Sequence, residues 1–121
     1  MNDNALNDGF LIFGTDESIH SAKGKAIGER FERIGRLAYQ ELSCRDEDYV
    51  MAQNINSSVL NLKVRTLFPP ILRKRSKTNL KVIIDNVKYD VIKTDSDQDK
   101  RYLYFYLQEV GTFEQDNTVD E

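Results

Sequence analysis

The chain has no tryptophan, one cysteine, one histidine and two prolines in 121 residues. A single cysteine, Cys44, excludes an intrachain disulfide. One Cys and one His are too few for a zinc site of the usual ligand count. No apolar run approaches the ~20 residues that a membrane-crossing helix needs. The opening Met-Asn-Asp-Asn lacks the basic region of a secretory signal, so a cytoplasmic compartment and no membrane are expected. Acidic residues are absent from a long central window. Between Tyr49 and Ile84 there is no Asp or Glu, while Lys63, Arg65, Arg73, Lys74, Arg75, Lys77 and Lys81 all fall there. The acids gather toward both ends, in Asp3, Asp8, Asp16 and Glu17, and in Glu114, Asp116, Asp120 and Glu121. Net charge is only −3, but a basic middle and acidic ends allow subunits to pair by opposite charge. The plain alternative is a solvated basic loop with polar tails.

What is present is alternation of period two. Leu60, Leu62 and Val64 alternate with Asn61, Lys63 and Arg65. Leu80, Val82 and Ile84 continue the pattern, and beyond Asp85-Asn86 come Val87, Tyr89 and Val91. In 101–110, Leu103, Phe105 and Leu107 alternate with Tyr102, Tyr104 and Tyr106. Successive strand side chains point to opposite faces, so each run buries one face. Several such strands in a small chain predict a mainly β fold, a small antiparallel β-barrel with one short helix and long mobile loops. A chain of this length buries roughly 65% of its unfolded surface, enough for one domain without staples.

Residues 1–8 are expected to be a flexible N-terminus, 9–111 the barrel domain and 112–121 a disordered acidic tail. Residues 9–13 read as a short buried strand. Residues 14–29, polar and holding Gly14, Gly24 and Gly28, read as a long loop, and 32–42 as a strand. Ser43 and Asp46 have the spacing of a helix start, with Asp46, Glu47 and Asp48 at the positive end of its dipole. Tyr49, Ala52 and Asn56 share one helical face. Pro69 and Pro70 stop the strand 60–66. Residues 71–79 read as an exposed basic loop, and Asp85-Asn86 as a type I′ turn joining 80–84 to 87–92. A polar loop, 94–100, precedes the last strand.

This order of elements carries a resemblance. Ala52-Gln53-Asn54-Ile55-Asn56-Ser57 leads into the strand that reaches Arg65, and Tyr89-Asp90-Val91 follows the hairpin turn ahead of the closing strand. The pattern, over roughly residues 30–110, resembles the head–tail joining (head-closure, stopper or connector) proteins of long-tailed bacteriophages. That family has a small barrel with one short helix, a phrase of the form Ala–Gln–x–Ile–Asn–Ser, and Tyr–x–Ile after a hairpin turn. The chain departs from it where Leu37 or Tyr39 stands in place of a common tryptophan, and 14–29 and 67–79 match it least. The resemblance implies a structural virion protein that self-associates into a ring below the portal and adaptor. It would close the DNA-filled head and offer a docking surface to the tail proteins. Location would be the virion, at the head–tail interface, after assembly in the host cytoplasm. A tail-terminator or tail-completion protein has the same architecture.

Candidate residues follow. Tyr102, Tyr104 and Tyr106 form a bulky stripe on the outer face of the last strand, and tyrosine suits an interface because it buries area yet keeps a polar tip. Either a neighbouring subunit contacts the stripe, or the helix or the N-terminal segment covers it. Arg73, Lys74, Arg75 and Lys77 can meet an acidic protein surface, remain solvated, or contact DNA phosphates non-specifically in a channel. Aromatics beside a basic loop also describe a nucleic-acid-binding barrel, the competing reading. Glu17, His20, Lys23 and Lys25 lie in 14–29, the candidate loop for a ring lumen, since a loop of the resembled family is thought to plug the channel. Residues 71–79 are the other candidate. Lys23-Gly24-Lys25 lacks the order of a P-loop. His20 has no acid partner or oxyanion donor, and Cys44 has no paired base. No catalytic activity, metal or cofactor is expected.

Overall fold

The computed structural model describes residues 6–75, 77 and 79–113. Most of the expected acidic tail, and residues 1–5 of the expected loose N-terminus, lie outside them. The elements run β1 (Gly9–His20), β2 (Ala26–Leu42), α1 (Asp46–Asn54), β3 (Leu62–Leu67), α2 (Pro70–Arg73), β4 (Leu80–Ile84), β5 (Val87–Ser96) and β6 (Tyr102–Thr112). The six strands close into an antiparallel barrel in the order β1-β2-β3-β6-β5-β4. Among the described residues no helix is long and apolar enough to cross a membrane.

The alternation read from the sequence becomes the inner wall. Leu11, Phe13, Val64, Leu80, Val82, Ile84, Leu103, Phe105 and Leu107 are buried together inside the cylinder. At the turn after β4, Asp85 and Asn86 have φ of 51° and 66°, the left-handed values that a type I′ turn needs. The chain leaves β3 through extended Pro69, and α2 returns Leu72, fully buried, to the barrel core. The region expected to be one basic loop therefore begins with a short helix. Its proline ring suits the first helical turn, where the missing N–H has no partner to lose.

The larger correction concerns residues 14–29. They are not a loop. β1 and β2 pair continuously from Gly9↔Tyr39 to His20↔Ala26, and only a tight turn at 21–25 joins them. A bulge between Phe13 and Gly14 lies two residues before this ribbon leaves the barrel wall, since β4 pairs β1 only from Ile12 to Thr15. Glycine is needed there. A Cβ on Gly14 would sit 2.1 Å from the Glu32 carbonyl oxygen.

α1 also departs from expectation at its start. Its N-cap is Arg45 rather than Ser43, and the Asp48 carboxylate accepts the Arg45 backbone N–H at 2.9 Å. The buried residues of α1 are Asp48 and Ala52.

Candidate assembly surface

Helix α1 lies over the outer wall. Ala52 and Leu60 pack on Tyr106, with Cys44, Met51, Ile92 and Tyr104 around them. This small second core sits outside the cylinder. A salt bridge of 3.2 Å between Asp48 and Lys63, both largely buried, ties the helix to β3. Burial pushes the Asp48 carboxyl up, but the Arg45 N–H and the Lys63 ammonium outweigh it and hold it below the ordinary carboxylate value. Lys63 is pulled down by burial yet held above the usual lysine value by its hydrogen bond to Asp48. Burial raises the Tyr106 phenol.

Within the chain the tyrosine stripe is already largely covered. Tyr102 and Tyr106 are only 9% and 8% exposed, and Tyr104 is half-buried. Of the two coverings left open by the sequence, α1 covers Tyr106 and Tyr104. Arginines flank Tyr102 instead, with Arg65 at 4.7 Å and Arg101 at 5.7 Å from its ring centre. Arg65 also donates to the Gln40 amide oxygen. The register that pairs Leu67 with Tyr102, Arg65 with Tyr104 and Lys63 with Tyr106 sets a basic row beside the aromatic one.

The basic cluster is split. Arg73 donates to the Lys100 carbonyl at 2.9 Å and Lys77 to the Leu72 carbonyl at 3.0 Å. Both cations lie over the Phe68 ring, at 5.5 and 5.6 Å. With Asp95 and Lys100 they line a depression of about 250 Å³ at the end of the barrel where β6 begins. Lys74 and Arg75 are exposed, beside exposed Leu67 and Ile71.

Of the four lumen candidates, Glu17 and His20 sit on β1, and Lys23 and Lys25 in the turn that joins β1 to β2; all are exposed. They share one ribbon but do not converge on a pocket. The ribbon is fastened near its base. Lys88 of β5 donates to both Asp16 oxygens, at 2.8 and 2.7 Å, and Phe31 meets Phe113 edge-on with centroids 5.6 Å apart. Beyond Asp16 and Phe31 it is solvent-exposed on nearly every residue. Sequence reasoning missed α1's outer face, where Tyr49 and Val50 are exposed. Tyr49 was expected to share a face with Ala52, but Ala52 is buried and Tyr49 half exposed. Among the described residues no group of three or more His, Cys, Asp or Glu side chains is placed to hold a metal ion.

No family model matches the chain, and no curated protein sequence matches it. Among solved structures the fold is similar to a chain from the virion of a native gene transfer agent (GTA) particle. The likeness has a TM-score of 0.53 at 12% identity and covers 87% of this chain and 96% of that one. At that identity the likeness is one of fold.

Proposed function

We propose that the chain is a structural component of a phage-like virion, acting at the head–tail connector. Copies form a ring below the portal and adaptor, close the DNA-filled head and present a surface to the tail. The observation that carries this reading is the barrel shared with a chain of the gene-transfer-agent virion, across nearly that whole chain. The surface is of the right kind. A charged ribbon projects from a rigid cylinder, and exposed Tyr49, Val50, Leu67 and Ile71 are apolar contacts available to neighbours. In such a ring many weak contacts act together, so avidity rather than one tight site holds each copy. On this reading the chain works by binding and performs no catalytic step.

Electron microscopy of the protein mixed with the portal complex of its own particle tests the reading. A ring beneath the portal is expected. A ring at the far end of the tail tube would instead assign the tail-terminator role. A nucleic-acid-binding barrel is the competing reading, favoured by Arg73, Lys77 and Lys100 around one depression beside Phe68. Titration with labelled single-stranded and duplex DNA at several salt concentrations separates the two, because phosphate binding weakens steeply with salt.

A further inference from the structure

The projecting ribbon leaves one strand edge open. β2 pairs β1 along its length, but β3 joins its other edge only from Tyr39 to Leu42. Among the described residues no strand lies against that edge from Ala26 to Ala38. An unpaired edge presents a row of N–H and C=O groups and is a template for another strand. In its centre stand Glu29-Arg30-Phe31-Glu32-Arg33, of which all but Phe31 are exposed.

We propose that a second copy of this chain pairs with this edge, β2 against β2 and antiparallel, on a twofold axis through Phe31. In that register Glu29 faces the partner's Arg33, and Arg30 faces the partner's Glu32. Each pair occurs twice by symmetry. Residues 29, 31 and 33 share one face and 30 and 32 the other, so every pair lies on a common face. The neighbouring registers are all penalised by like charges. A twofold axis normal to the sheet keeps opposed residues on one face, so the register can move only by whole residues of the axis. A full residue either way puts Arg30 or Glu32 opposite itself. Charges on an edge commonly serve to repel another strand. Here the one register that matches all four charges is also self-complementary, which a merely repulsive edge does not require. An isologous pair closes on itself and cannot propagate round a ring. It is therefore a state of the free protein, and it stands independently of the virion reading.

Sedimentation equilibrium of the full chain over a range of concentrations tests this. The native chain should form a reversible dimer. Glu29→Arg, which turns two attractions into repulsions, should weaken the dimer at least ~10-fold. The double variant Glu29→Arg/Arg33→Glu restores the opposite-charge pairs with their signs exchanged and should recover dimerisation. Circular dichroism should be unchanged in both, since both positions are exposed. A native chain that stays monomeric, a dimer indifferent to Glu29→Arg, or a double variant that fails to recover would each overturn the proposal.

Discussion

Asp48 joins two tasks in one carboxylate, and the position of α1 depends on it. It accepts the first free N–H of the helix and pairs with Lys63 on the barrel wall. Asp48→Ala should cost about 2 kcal/mol, the combined order of a lost cap and a lost charge-assisted bond. Urea unfolding at neutral pH would measure it. The pH dependence has a definite sign. The folded carboxyl titrates below its ordinary value of 3.8, so its contribution is complete above that value and is lost as pH falls through the folded value. Lys63 titrates above its ordinary 10.5, so its share is complete below that value and is lost as pH rises through the folded one. The stability gap between native and Asp48→Ala should thus be flat around neutrality and close in acid. A gap that persists well below the folded value would show that Asp48 acts by packing. Gly14 is the second residue on which the architecture turns. Its missing Cβ leaves room for the Glu32 carbonyl, and Gly14→Ala should destabilise by about 3 kcal/mol through forced backbone movement at the bulge. Thermal unfolding checks it.

At the scale of elements, legibility followed burial. β3, β4, β6 and the first part of β5 could be read because each has one face in the core, and that asymmetry writes a period of two into the sequence; the end of β5, which runs on to Ser96, was instead read as polar loop. Asp85-Asn86 could be read because both residues tolerate positive φ. Residues 14–29 could not, because a ribbon wet on both faces carries no apolar alternation, and its glycines then look like hinges. α2 was hidden by Pro69-Pro70, which end a strand and start a helix with equal ease. The fate of the tyrosine stripe was undecidable from the chain alone. It depends on where α1 docks, and docking is set by Asp48 and Lys63, 15 residues apart. The ribbon is separable from the barrel. Joining Glu17 to Arg30 through Asn-Gly keeps Asp16 with Lys88 and Phe31 with Phe113. This shortened chain should melt within about 5 °C of the native one, because little buried area is lost. On the proposed reading it should still form a ring, but one with a wider central opening, which negative-stain images of portal mixtures would reveal.

On the proposed reading, the cylinder wall rather than a cavity is the working part of the whole molecule. In the depression among Arg73, Lys77 and Lys100, the Arg73 and Lys77 cations already donate to backbone carbonyls. What remains for function is the outside: a charged ribbon, two small apolar patches and a basic corner at Lys74 and Arg75. Such a surface gains strength by repetition, and its charged contacts weaken as salt rises. Cryo-electron microscopy of the intact particle that carries this protein is the most direct measurement. The account predicts a ring of barrels between portal and tail, each seated by its outer wall with its ribbon toward the axis. Particles with no density for the chain at that junction, or with isolated copies bound along the DNA, would contradict it.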